Sequence, residues 1–513
     1  MSEPAAREER LGGWLGRIER AGNALPDPIT LFALGALLVF VGSWLAERAG
    51  WTCTLVDATG KERQEAARSL LSAEGLRWLT TNLVAIYVGF KPLGLVLCAS
   101  IGVAVAEKSG FLAALLRAAL ILVPRACLTP ATVLVGVCSS LATDAGFVVL
   151  PPLAAAIYRS AGRPAALGIA TVTAGIAGGF GANLFLTSLD PLLAGMTEQA
   201  ARLVDPEYTV GAACNWYFMI ASTVLLTLVG WFVAERVLAP RLPAPGPAAA
   251  SERAALEPRE RRGLALALGV ALLLLALVLA SILVEGGFLH DPPAEAGRAA
   301  QPLWIQSIVA LIVALFFLPG LAYGLVTRSI RSDRDVARML TEYFGLLANY
   351  LVLAFFAGLL VAAFERSNLG ILLAVEGADA LASLALPRGL LLAAFVLLTG
   401  AVNLLIISSS AKWALLATIF VPLFMRLGVS PELTQLAYRV GDSLTNPISP
   451  LNIYLVIVLA FLRKHDESSG LGTLISLLVP FSCAFALTWI PLLLGWTALG
   501  IPLGPGGPLT YPR

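Results

Sequence analysis

Two stretches of this 513-residue chain carry side chains that could do chemistry, and each is enclosed by long apolar sequence. The first runs Ser139-Ser140-Leu141-Ala142-Thr143-Asp144-Ala145-Gly146 and later reaches Gly178-Gly179-Phe180-Gly181-Ala182-Asn183. The second holds Asn403, then Ser408-Ser409-Ser410-Ala411-Lys412-Trp413, and later Gly441-Asp442-Ser443-Leu444-Thr445-Asn446-Pro447. Hydroxyls, amides and carboxylates of this kind bind cations and carboxylate-bearing solutes. A serine-rich break lets a chain turn back inside a bilayer, and the freed backbone groups must then be satisfied by protein, solute or ion. A helix snapped between Gly441 and Pro447 would show carbonyls to a cation at the end of one half. At the start of the other half it would show N–H groups to a substrate carboxylate.

Each residue has a plainer alternative. An intramembrane acid such as Asp442 costs at least about 2.5–3.5 kcal/mol, which argues for use. The alternative is a structural ion pair with Arg439, which the i, i+3 spacing puts on the same helix face. The two are compatible, because an arginine can exchange an internal acid for a substrate carboxylate. Asp144 is either a ligand or a helix N-cap. Asp190, in Thr187-Ser188-Leu189-Asp190-Pro191, either binds substrate or caps the turn. Asn403 is a ligand or interhelical glue worth only about 0.6–2 kcal/mol. Ser408, Ser409 and Ser410 are ligands or turn formers. Lys412 either faces the site or snorkels to an interface. Trp413 is an interfacial anchor or an aromatic platform. Pro431 and Pro447 read mainly as helix breakers.

The elements that must position these residues are membrane helices. The chain is 58% hydrophobic and 13% charged, against about 25% charged in soluble proteins, and its mean hydropathy is +0.83. A net charge of +2 gives no footprint for nucleic acid. The six cysteines form no CxxC pair and read as small buried hydrophobes. His290 and His465 lack ligand-spaced neighbours, so no metal site is expected beyond a possible Na⁺, and no cofactor. No GxxxxGK[ST] motif supplies nucleotide energy.

Residues 1–28 carry no secretory signal; Leu11 to Ala24 reads as a helix in the cytoplasmic interface. A first membrane half follows over 29–237, with its hairpin and broken helix at about 127–190. A Pro-, Ala- and Arg-rich cytoplasmic linker covers 238–262. The second half covers 263–500, with its hairpin and broken helix at about 395–450, before a tail at 501–513. The stretch from Glu47 to about Thr81 reads only as polar. With spans of roughly 20 residues, the expectation is an all-α polytopic membrane protein. It has about nine crossings and two re-entrant hairpins, arranged as inverted repeats. Basic residues before Ile29, in the linker, after Val326 and at Arg463-Lys464 place those loops inside and the C-terminus outside.

The halves echo each other. Ser139-Ser140 aligns with Ser409-Ser410, Pro151-Pro152 with Pro422, and Gly162 with Gly428. Further on, Gly175 aligns with Gly441, and Asn183 with Asn446. Such paired interruptions point to a transporter's binding site.

From Asn403 to Pro450 the sequence becomes specific. Asn403, Ser408-Ser409-Ser410-Ala411-Lys412-Trp413, Pro422, Pro431, Arg439-Val440-Gly441-Asp442-Ser443, Thr445-Asn446 and Ser449-Pro450 resemble the AbgT family of p-aminobenzoyl-glutamate transporters. So do Asp144 to Ala155 and Asn23-Ala24-Leu25-Pro26-Asp27-Pro28. Asn452 and Thr143 depart from the pattern expected of that family. The resemblance implies a homodimer in the bacterial inner membrane. It implies a cation site at Asn403 and Asp442, and substrate passage past Trp413, Pro431, Arg439 and Asp442, with Asp190 matching an acid of the first half. The full candidate set for substrate is Ser408, Ser409, Ser410, Trp413, Pro431, Arg439, Asp442, Asn446 and Asp190. For the cation it is Asn403, Asp442, Asp144 and Asn183.

The expected function is secondary transport of p-aminobenzoyl-glutamate or related folate catabolites, or export of sulfonamide-like antimetabolites, driven by H⁺ or Na⁺. The chain is not expected to be an enzyme. The alternatives are a carrier for another carboxylate such as a dicarboxylate and, remotely, an intramembrane aspartyl hydrolase using Asp144 and Asp442.

Overall fold

Apolar sequence in lipid can satisfy its backbone only as helices or as a closed barrel, and this chain takes the helical solution. The computed structural model describes residues 28–56, 62–121, 123–142, 145–242, 256–290, 302–383, 386–406 and 408–512. The expected interfacial segment at 1–27, the candidate Asp144 and most of the linker (243–255) lie outside the described residues.

Helix α1 (Pro28–Arg48) is followed by an antiparallel pair, β1 (Thr52–Val56) and β2 (Glu62–Ala66), with Thr52 opposite Ala66. Next come α2 (Ala73–Val88), capped by Ser72, then α3 (Lys91–Lys108) and α4 (Phe111–Ile121). The stretch from Glu47 to Thr81 is therefore not simply polar loop. Thr52 and Thr54 are exposed and Cys53 between them is buried, the alternation of a short ribbon with one face covered, and the next helix starts inside that stretch.

The first repeat comprises α5 (Leu128–Cys138), a 3-10 turn (Ser139–Ala142), α6 (Ala145–Ser160), α7 (Ala165–Gly178) and α8 (Leu189–Ala201). Helix α9 (Trp216–Phe232) ends in a π turn, Val233–Leu238, and the chain stays helical to Arg241. Helix α10 (Pro258–Leu283) restarts earlier than the expected linker end. Then come α11 (Ile308–Thr327), α12 (Asp333–Leu346), α13 (Ala348–Arg366) and α14 (Leu369–Ser383). The second repeat comprises α15 (Arg388–Asn403), α16 (Ser409–Arg426), α17 (Pro431–Thr445) and α18 (Ile453–Arg463). Helix α19 (Leu471–Ala498) closes the bundle. Among the described residues, seven helices are long and apolar enough to cross a membrane, and the chain is an all-α polytopic membrane protein.

Both repeats are built alike. The arms α5 and α6 both pack on α7, and α15 and α16 both pack on α17. Each following helix is approached where a glycine stands. A Cβ on Gly136 of α5 would lie 2.7 Å from Val172 O of α7, and one on Gly441 of α17 would lie 2.3 Å from Val396 O of α15. Small residues let membrane helices touch backbone to backbone.

The C-terminal tail is tied to the turn between α16 and α17. Ser430 Oγ donates to Pro508 O at 2.6 Å, Tyr511 N donates to Gly428 O at 3.2 Å, and Val429 bridges Thr510.

Candidate functional site

The break in the second repeat falls later than its sequence suggests. Helix α17 runs through Gly441, Asp442 and Ser443 and stops at Thr445, so the snapped segment is 446–452. Pro431 begins α17 behind the cap Ser430, whose Oγ accepts from Leu433 N at 3.1 Å. The serines likewise start a helix. Ser408 caps α16, accepting from Ala411 N at 3.3 Å, and Ser409 and Ser410 form its first turn.

Asp442 is 2% exposed and pairs with Lys412, which is 0% exposed. The Lys412 ammonium also donates to Asn403 Oδ1 and, at 3.2 Å, to Ile406 O. This removes two of the plainer alternatives. Lys412 does not snorkel to an interface, and Asp442 does not pair with Arg439. Lys412 has turned inward because its helix starts beside the acid, where the ion pair offsets the cost of burying either charge alone. Ser409 Oγ donates to Asp442 Oδ2 at 3.2 Å, and the Tyr438 hydroxyl donates to Ser409 O at 2.5 Å.

Asn403 spends its amide across the repeat. Its Nδ2 lies 2.8 Å from Asp442 O, 3.0 Å from Thr445 Oγ1 and 2.8 Å from Asn446 Oδ1. The glue reading therefore holds, without excluding its oxygen from a cation. Asn452 donates to Asn446 O at 3.1 Å and caps α18 by accepting from Tyr454 N at 3.1 Å. The residue that departs from the family pattern is thus a fastener of the break.

The first repeat shows the same device. Asn183 Nδ2 donates to Ser140 Oγ at 2.8 Å, tying the broken stretch after α7 to the hairpin tip. Asn183 Oδ1 accepts from Phe185 N at 2.9 Å.

The first break packs on the last turns of α17, and α7 just before it reaches the second break. Gly181 N donates to Ser443 Oγ at 2.7 Å, and Ser443 Oγ donates to Arg439 O at 2.8 Å. A Cβ on Gly181 would stand 2.6 Å from both Arg439 O and Ser443 Oγ. A Cβ on Gly178 would lie 3.2 Å from Pro447 of the other break.

Arg439 NH1 pairs with Asp190 Oδ1 at 2.7 Å, with both side chains buried. Asp190 Oδ2 accepts from Thr187 N at 2.6 Å and Thr187 Oγ1 at 3.0 Å. Turn capping and charge pairing therefore coexist in Asp190. The buried Arg439 Nε has no hydrogen-bond partner among the described residues.

Trp413 is 0% exposed, so it is no interfacial anchor. Its ring lies 4.5 Å from that of Tyr438 at 31°. Its Nε1 donates to Thr197 Oγ1 at 3.0 Å and Leu193 O at 3.3 Å of α8. Thr197 in turn donates to Gln435 Oε1 at 2.6 Å. Sequence reasoning missed Tyr438, Thr197 and Gln435. One signal was available: Glu432, Gln435, Arg439 and Asp442 recur at i, i+3, i+7 and i+10, a polar stripe on one face of α17.

Comparison with known proteins agrees with this architecture. The model of the AbgT transporter family matches residues 13–511. The p-aminobenzoyl-glutamate transport protein of Escherichia coli (strain K12) is 33% identical over 511 residues, 99% of this chain and 98% of that protein. The Alcanivorax borkumensis YdaH transporter structure is 39% identical, covering 94% of this chain and 100% of that one, with TM-score 0.87. The structure of Neisseria gonorrhoeae MtrF, described with a class of antimetabolite efflux pumps, is 40% identical, covering 97% of this chain and 100% of that one, with TM-score 0.90. Broken helices joined across two repeats, buried ion pairs at their junction and full-length similarity to these transporters lead to one conclusion: the chain belongs to the AbgT family of transporters.

Proposed function

We propose that this transporter moves p-aminobenzoyl-glutamate or related folate catabolites, or exports sulfonamide-like antimetabolites, coupled to a proton or Na⁺ gradient. The observation that carries the reading is the Asp190–Arg439 pair between the two breaks. A guanidinium held by one internal carboxylate, with Nε unpaired, is set to exchange that carboxylate for a substrate's. The Trp413–Tyr438 ring pair beside it supplies an aromatic wall for an aminobenzoyl group once the pair opens.

Asn403 Oδ1, Ile406 O and Asp442 Oδ1 converge on one positive charge, which Lys412 provides here. A coupling cation would use Asp442 and Asn403 in a conformation where Lys412 has withdrawn. Asn183 and Asp144 would serve the first repeat in the same way. Ser408, Ser410 and Asn446 line the approach in this reading.

Nine crossings with two re-entrant hairpins, a cytoplasmic N-terminus and a homodimer in the bacterial inner membrane complete the proposal. The test is uptake of p-aminobenzoyl-glutamate into proteoliposomes with Na⁺ and pH gradients imposed separately, and with succinate as competitor. Gradient-driven accumulation that succinate leaves intact is expected. Accumulation under neither gradient, or full displacement by succinate, overturns the substrate assignment.

A further inference from the structure

One ionisable side chain is buried as deeply as the Lys412–Asp442 pair and takes no part in it. Glu432 is 1% exposed and lies in the first turn of α17. Its carboxyl accepts from the Tyr208 hydroxyl, at 2.9 Å on Oε2 and 3.2 Å on Oε1. The buried cations of this region are already committed, Arg439 to Asp190 and Lys412 to Asp442. Glu198 nearby is bound to Lys91 and Arg202. Helix-start amides favour a negative charge, but more weakly than burial opposes it when no counter-ion stands among the described residues. The neutral acid is the state that fits this site.

A second observation lies beside it. Asn215 Nδ2 donates to the Glu432 backbone carbonyl at 3.1 Å, while the buried Asn215 Oδ1 has no hydrogen-bond partner among the described residues. The residue that bears the buried acid thus also holds, through its backbone carbonyl, an amide whose own oxygen is left over. Glu432 also stands between water and the centre of the molecule. On one side the half-buried Tyr208 has its ring 5.8 Å from that of Tyr511, whose hydroxyl donates to Asp205 Oδ2 at 3.3 Å. On the other side Gln435, one turn on, accepts from Thr197, which accepts the Trp413 indole N–H.

We propose that Glu432 is a proton-binding site of the transport cycle, separate from the Asn403–Asp442 cluster. The proposal rests on the transporter reading above and adds a seat for the proton. In the step itself the Tyr208 hydroxyl turns from the carboxyl to water at the adjoining loop and gives up its own proton there, the carboxyl O–H bond breaks as its proton bonds to the tyrosine oxygen, and the carboxylate keeps the electron pair. The ionisable group in contact with it is Tyr208, which packs on Tyr511 and through it reaches Asp205; Cys214 lies against Gln435 one turn on, and the Arg439–Asp190 pair begins two turns on. Arg439 is the cation among them, and Asp190 neutralises it.

Full-length protein reconstituted around a pH-sensitive dye tests this with Glu432→Gln, which preserves shape and acceptor. Expected is retained counterflow exchange of labelled p-aminobenzoyl-glutamate with loss of substrate-driven proton flux. Proton flux per substrate equal to wild type overturns the proposal. The wild-type minus Glu432→Gln infrared spectrum should contain a protonated-carboxyl stretch that shifts in D₂O and vanishes on alkalinisation. Its absence at every pH where the protein is folded also overturns it. If neither protein moves p-aminobenzoyl-glutamate, the substrate assignment fails, and the infrared spectrum still decides the proton site. Tyr208→Phe is the second variant. Removing a donor to the carboxylate should move the pH at which the band vanishes upward, and an unmoved midpoint counts against the proposal.

Discussion

The Lys412 ammonium and the Asp442 carboxylate, on neighbouring helices of the second repeat, form an ion pair from which water is excluded. Removing one partner of such a pair leaves an uncompensated buried charge, at a cost of about 3–5 kcal/mol. Lys412→Met should therefore lower thermal stability in detergent sharply, and Lys412→Met/Asp442→Asn should recover most of it. The double variant also separates folding from coupling. It should fold and insert, yet lose gradient-driven uptake in proteoliposomes. Uptake at wild-type rates would remove Asp442 from the mechanism.

Arg439 is expected to be intolerant of a like charge. Lysine presents a point charge in place of the planar fork that meets Asp190 at 2.7 Å. Arg439→Lys should keep the protein folded in size-exclusion chromatography and cut substrate binding by about tenfold or more, roughly 1.4 kcal/mol. Wild-type affinity by calorimetry would show that Arg439 only holds the breaks together.

Gly181→Ala has no space. The added methyl would sit 2.6 Å from Arg439 O and Ser443 Oγ, and overpacking of this kind costs about 1–3 kcal/mol. Ser443→Ala removes one of the two obstacles, so Gly181→Ala/Ser443→Ala should be less unstable than the sum of the single changes. Additive melting shifts would refute the contact.

Trp413→Phe keeps the ring beside Tyr438 and deletes the N–H that reaches Thr197 and Leu193 of α8. Leaving those buried acceptors short of a donor costs about 1–3 kcal/mol. Hydrogen exchange should show α8 opening more readily, while exchange in α10 stays unchanged.

Outside the membrane spans, Asp335 offers a pH handle. Backbone N–H groups of Arg331 and Ser332, the Ser332 hydroxyl and Arg338 hold its carboxyl below the usual value. A lowered native value means the cap stabilises α12 above the unfolded carboxylate range. That stability is lost as pH falls through the native value. Amide exchange at the start of α12 should accelerate on acidification in wild type. In Asp335→Asn it should be fast throughout.

Much of the plan was legible in the sequence. Hydropathy marked the helices, and Ser139-Ser140, Ser408-Ser409-Ser410, Gly181 and Asn446 marked where they break, because turns inside an apolar environment need those residue types. Partner choice was not legible. Arg439 sits three residues from Asp442, yet it pairs with Asp190 from the other repeat. The sequence left Lys412 and Trp413 open between the site and a membrane interface, and both are fully buried. Local spacing names the nearest neighbour on one helix, whereas the crossing of two repeats decides which charge meets which. The β1–β2 ribbon was missed for the opposite reason: it is too short and polar for periodicity to announce it.

The C-terminal tail has a practical corollary. Knitted by main-chain bonds to residues 428–430, it must travel with the base of the second hairpin. A spectroscopic probe attached near Thr510 would thus act as a ruler for any displacement of that turn, and a bulky fusion placed there would act as a brake on it.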